Sequence, residues 1–164
     1  MARAGHGVDM SKVAGRLKTG KKAAGAGSVD LAPLGEFVGY ALRRAQIAVF
    51  DEFIREFAAL DLRPAPFSVL AVIARNPGLN QSEVALALGI QRANFVVLIG
   101  RLEQRGVVER RPVDKRSYAL HLTNEGEKLL AAAMDLQDRL EARVEARLGA
   151  GGKARLMELL SRLR

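Results

Sequence analysis

The densest group of chemically useful side chains lies between Gln91 and Arg116. Seven basic residues fall there, Arg92, Arg101, Arg105, Arg110, Arg111, Lys115 and Arg116, against three acidic ones, Glu103, Glu109 and Asp114. A cationic cluster of this density suits a phosphate backbone, because neutralising phosphates releases condensed counterions and drives association. Gln91, Arg92 and Asn94 stand together at the head of an apolar-periodic segment. These are the types that pair with base edges, Arg with guanine and Asn or Gln with adenine. Gln81 and Ser82 follow a helix-capping Asn80, where hydroxyl, amide and backbone N–H donors suit phosphate oxygens. Catalytic chemistry has less to draw on. The absence of cysteine excludes disulfides, thiol nucleophiles, thiol redox switches and Cys-based zinc sites. Two histidines, His6 and His121, are too few for a His-based metal cage, and neither has a nucleophile beside it in a plausible motif. No Gly-rich phosphate loop or paired-carboxylate motif stands out. The expectation is a non-enzyme without cofactor or metal.

Composition agrees. The 164 residues carry a net charge of +8 and are 49% hydrophobic, enough for one ordinary domain with a core. A basic balance favours a polyanionic partner, either nucleic acid or an anionic membrane surface, and charge alone does not choose between them. No stretch approaches the roughly 18 uninterrupted apolar residues of a membrane span. The N-terminal Lys and Arg residues lack the apolar run of a secretory signal. A cytoplasmic location with no membrane partner follows as the expectation.

The elements that must position these residues can be read from period and punctuation. Residues 1–33 carry six basic and two acidic side chains among many glycines. They read as a disordered basic tail, because so little apolar surface cannot offset the entropy of ordering. Residues 34–60 read as one long amphipathic helix through Leu34, Val38, Ala41, Ala45, Phe50, Phe53, Ile54, Phe57 and Leu60. Pro64 or Pro66 opens a second helix, which Asn76-Pro77-Gly78 stops. Asn80 with Glu83 reads as a capping box for a short helix over 81–88. A helix over 92–105 follows, with Phe95, Leu98, Ile99 and Leu102 inward and Gly106 as its C-terminal glycine. The period then changes. Residues 107–110 and 117–122 read as two strands, with Tyr118, Leu120 and Leu122 inward, around a charged tip over 112–116. Thr123 caps a long helix from Glu125 to about Leu148, and residues 149–152 break it before a short amphipathic C-terminal helix.

Helix, turn, helix and charged hairpin in that order make a winged helix, whose second helix enters a major groove. The tip Lys115 and Arg116 then reach the backbone or the minor groove beside it. The same shape also serves as a protein- or RNA-binding module, since fold does not fix function.

The motifs are specific enough to name a family. The runs PAPFSVLAVIARNPGLNQSEVALALGI, QRANFVVLIGRLEQRGVVERR and DKRSYALHLTNEGEKLL, within residues 64–130, resemble in order the second and third helices, recognition helix and wing of the MarR family of bacterial transcription regulators. The resemblance implies a mainly α fold with a small β-hairpin wing. It places a winged-helix DNA-binding lobe at 64–123 and dimerisation helices at 34–60 and 124–164. It implies a homodimer on a pseudo-palindromic double-stranded operator, more often a repressor than an activator. Arg116 becomes the minor-groove finger and Asp114 its orienting partner; read alone, Asp114 is a turn former. Gln81, Ser82, Gln91, Arg92, Asn94, Val97, Arg101 and Lys115 become the further DNA-contacting candidates, although Val96 and Val97 stand where family members often carry hydroxyl or basic residues. The family also implies an effector pocket for phenolic or aromatic carboxylates, or their CoA thioesters. Tyr40, Arg43, Arg44 and Phe67 are the candidates to line it.

Overall fold

The structure, a computed structural model of the chain, describes residues 31–114 and 117–163. The expected N-terminal tail therefore lies almost wholly outside the described residues. The chain forms two compact units, Met1–Ile47 and Ala48–Arg164.

The first unit holds α1 (Ala32–Gly35) and the start of α2 (Val38–Glu56). One helix over 34–60 was expected, and the chain interrupts it twice. The first break follows α1, whose last residue is Gly35, a poor helix former, while Pro33 sits in the first turn where proline is tolerated. The helix restarts when Phe37 accepts the Tyr40 and Ala41 N–H groups, each at 3.0 Å. The second break is a tightening to a 3₁₀ turn, Phe57–Leu60, closed by Asp61 in the left-handed region at φ 44°.

The second unit is built on the apolar end of α2. Phe53 and Phe57 stack with centroids 3.6 Å apart, and Phe67 meets Phe57 edge-on at 5.5 Å. Such ring pairs contribute about 0.5–1.5 kcal/mol beyond the area they bury. Around them α3 (Pro64–Arg75), α4 (Gln81–Ala87) and α5 (Arg92–Gln104) bury Val69, Leu70, Ile73, Val84, Phe95 and Ile99. Pro64 takes the first turn of α3, where its missing N–H costs nothing. The Asn80 capping box forms in full: Asn80 Oδ1 accepts the Ser82 and Glu83 amides at 2.9 and 3.1 Å, and Glu83 accepts the Asn80 amide at 2.7 Å.

Gly106, at φ 75°, turns the chain from α5 into β1 (Val108–Pro112). β1 pairs antiparallel with β2 (Tyr118–Leu122) in the register Val108↔Leu122 to Pro112↔Tyr118. The expected alternation in β2 fails. Tyr118 is 53% exposed, while neighbours Ala119 and Leu120 are both buried. The reason is tertiary: α3 and α6 (Asn124–Leu148) both pack on β2, and its Leu120 N–H donates to the Leu79 carbonyl at 2.8 Å. Thr123 caps α6 by accepting the Gly126 amide at 3.1 Å. Gly149 and Gly151, both at positive φ, separate α6 from α7 (Gly152–Ser161). Among the described residues no single helix is long and apolar enough to cross a membrane.

Candidate nucleic-acid interface

α5 is positioned by one side of its own sequence. Phe95, Ile99 and Leu102 are buried and fix its rotation, which turns Val97 and Arg101 outward. Gln91, Arg92, Asn94, Val97 and Arg101 are all exposed, the first three at the N-terminal end of the helix and the last two on its outward side. Val97 is 56% exposed and Val96 45%, so neither is core. The Arg92 and Arg101 side chains make no hydrogen bond or ion pair among the described residues, leaving both guanidinium groups available.

The other basic residues of the cluster divide. Arg105 donates to the Leu60 and Asp61 carbonyls at 2.6 and 2.7 Å, and so closes the end of the 3₁₀ turn. Arg110 pairs with Glu103 at 2.8 Å and Arg111 with Glu109 at 2.7 Å. Spacing along the chain had grouped these three with the free arginines. Arg105 is held by the end of the 3₁₀ turn, Arg110 by a glutamate on α5, and Arg111 by a glutamate two residues back on its own strand, so all three are engaged within the chain.

The wing projects beside α5. At its tip the Val113 amide donates to the Ser117 carbonyl at 3.0 Å, and Asp114 Oδ1 accepts the Ser117 amide at 2.9 Å. Asp114 thus shapes the turn, as a lone Asp commonly does. Lys115 and Arg116 lie outside the described residues. At the foot of the wing a cleft of about 290 Å³ is lined by Asn80, Gln81, Ser82, Arg110, Ser117, Tyr118 and Leu120. Gln81 Oε1 is shielded there without a hydrogen-bond partner among the described residues. Because Asn80 takes the Ser82 amide, Ser82 offers its hydroxyl and not its N–H to a ligand.

The effector candidates are placed separately. Arg43 and Arg44 are exposed and Tyr40 is half-buried on α2. Phe67 is half-buried on α3, its ring packed against Phe53 and Phe57. An ion-pair cluster that sequence reasoning missed joins α2 to α6 within the second unit. Glu52, buried to 9% exposure, accepts from Arg143 Nε at 2.7 Å and from the Arg147 guanidinium. Glu56 lies 3.1 Å from Arg143. Hydrogen bonds from Arg147 and then Arg143 hold the Glu52 carboxyl below the ordinary glutamate value. The signals available were Glu52 and Glu56 four residues apart on one helix and Arg143 and Arg147 four apart on another, which put each pair on one side of its helix but do not match the pairs. Among the described residues no three His, Asp or Glu side chains converge to hold a metal ion.

Comparison with known proteins gives one consistent result. Residues 60–117 match the model of the MarR family. The chain is 37% identical over 129 residues to a Thauera aromatica protein assigned as a transcriptional regulatory protein for the hcr operon, covering 77% of this chain and 78% of that one. Its fold matches the transcriptional repressor CouR solved on a 23-mer DNA duplex, with TM-score 0.78 and 41% identity over 84% of this chain and 99% of that one. CouR solved with p-coumaroyl-CoA matches equally, with TM-score 0.78 and 41% identity over 83% and 97% of the two chains.

Proposed function

The chain belongs to the MarR family of transcriptional regulators, and from that premise we propose that it is a homodimeric repressor, working in the cytoplasm, that an aromatic effector releases from duplex DNA. The observation that carries the DNA reading is the outward surface of α5. It collects Gln91, Arg92, Asn94, Val97 and Arg101 on a helix whose other side is locked into the core. A helix so presented fits a major groove, with Arg92 and Asn94 at base edges and Arg101 toward phosphate. Gln81 and Ser82 at the foot of the wing contact the adjacent backbone. In this proposal Lys115 and Arg116 contact the DNA, Arg116 in the narrow, negative groove of an A·T-rich stretch with Asp114 as its orienting partner. The similarity to a repressor solved on DNA supports this reading.

Two copies related by a twofold axis place two such helices on half-sites about 10 bp apart, so the operator is a pseudo-palindrome. Release follows as a population shift: an effector that binds better to a conformer with mismatched helix spacing withdraws the protein from DNA. Similarity to a repressor solved with p-coumaroyl-CoA favours an aromatic acyl-CoA, or the parent aromatic acid, as that effector. Arg43 and Arg44, two adjacent exposed guanidinium groups beside Tyr40, suit its anionic end. Phe67, half-buried in the second unit, is the further aromatic candidate.

Mobility-shift titration on a duplex selected from a random pool tests the DNA reading. Arg92→Ala and Arg116→Ala should each weaken binding by about 1–3 kcal/mol. Unchanged affinity in both would remove α5 and the wing from the mechanism. Calorimetry with aromatic acids and their CoA thioesters, paired with release of bound duplex, tests the effector. No heat and no release across that panel would reject it.

A further inference from the structure

We propose that α5 reads its operator partly through thymine methyl groups, with Val96 and Val97 as the specificity-determining contacts. This rests on the reading that α5 enters the major groove of DNA. Both valines keep about half of their surface in water, at 45% and 56% exposure. The buried Phe95, Ile99 and Leu102 define the inward side of the helix. At about 100° per residue, Val97 points away from that side and Val96 lies on a flank. Core packing therefore does not account for them. Helix formation does not either, since β-branched residues are poorer helix formers than alanine.

The surroundings identify the occupant. Arg92 stands one turn before Val96 and Arg101 one turn after Val97, and both guanidinium groups are without partners among the described residues. An apolar pair bracketed along the helix axis by two free cations, each on the side of one valine, fits a surface that is anionic at its borders and carries small apolar groups at its centre. The major groove at a thymine has that character, with phosphates on either side and the C5-methyl group inside. Around Gly100, between the two valines on the next turn, a Cβ would meet nothing within 4 Å, so no other described part of the chain covers that side of the helix. Valine offers no hydrogen bond to a base. The sequence preference it generates is for a methyl group and not for a donor–acceptor pattern.

The test uses the full chain and a duplex it selects from a random pool. Each thymine is replaced in turn by deoxyuridine, which differs only by the missing methyl group. For the natural chain, one or two positions per half-site should lose about fourfold in affinity, the value of one buried methylene-sized group. In Val97→Ala or Val96→Ala the loss at one of those positions should vanish, and 5-methylcytosine there should bind the natural chain better than cytosine. Alanine at an exposed helical site preserves the fold, which circular dichroism and an unchanged melting midpoint verify. If deoxyuridine is silent at every position, or its cost persists in both alanine variants, the methyl readout is wrong while DNA binding stands. If no duplex is selected at all, the DNA reading fails and this inference with it.

Discussion

Among charged side chains of the described residues, Glu52 is the buried one, and its two arginine partners decide what its removal does. A carboxylate held this way has a lower proton affinity in the folded chain than in the unfolded one, where it titrates near 4.5. Its contribution to stability is therefore present above about pH 4.5 and is lost as pH falls through the depressed folded value. Glu52→Gln should lower the melting midpoint at neutral pH by more than Glu125→Gln, which removes only the exposed Glu125–Lys128 pair. The gap between Glu52→Gln and the natural chain should narrow in acid, once the natural carboxylate is itself protonated. Equal midpoints at pH 7 would show that Arg143 and Arg147 need no such partner. At the same scale, Arg105 shows why a charge count overstates an interface. Its guanidinium reaches carbonyls 44 and 45 residues earlier in the chain and so serves the fold.

At the scale of elements, the joint between the wing and α6 depends on Gly126. A Cβ there would stand 2.0 Å from the Val107 carbonyl oxygen, and backbone cannot move aside as a side-chain end can. The same carbonyl accepts the Thr123 amide at 3.2 Å, and the Thr123 hydroxyl donates to the Gly106 carbonyl at 2.6 Å. The start of α6 is thus pinned against the strand that carries the wing. Gly126→Ala should destabilise the chain by about 3 kcal/mol or more in urea unfolding, well beyond an ordinary glycine-to-alanine change in a helix. A neutral or stabilising effect would mean that α6 can lift off β1 without penalty. The test also bears on function, because displacement of this joint changes the angle of the wing relative to α5.

At the scale of the whole molecule, large apolar side chains stay exposed in both units. Leu34, Phe37 and Val38 are exposed in the first unit, and Leu156, Met157, Leu159 and Leu163 in the second. Patches of this kind mark association surfaces. The proposed homodimer should appear in sedimentation at micromolar concentration. Leu159→Asp, which places a charge within the α7 patch, should shift the chain toward monomer and lower operator affinity with it. A natural chain that sediments as a monomer would remove the basis for paired half-sites. DNA affinity should also fall steeply with salt, since each phosphate neutralised on duplex DNA contributes about −0.9 to the slope of log K against log salt. A flat salt response would contradict the basic interface.

Local patterns determined what the sequence could determine alone. The Asn80–Glu83 cap, Gly106 and the Thr123 cap act over three or four residues, so their types and spacing suffice. The order of helices and hairpin, and the motifs that identify the family, are likewise written along the chain. Tertiary structure decided the rest. It left Arg92 and Arg101 open while engaging Arg105 with the carbonyls of Leu60 and Asp61, and it buried Ala119 beside Leu120 where strict alternation would have exposed it. It also joined Glu52 to arginines 91 and 95 residues away and gave Gly126 its carbonyl neighbour. Each of these depends on which distant segment arrives alongside, and helical or strand period carries no information about that arrival.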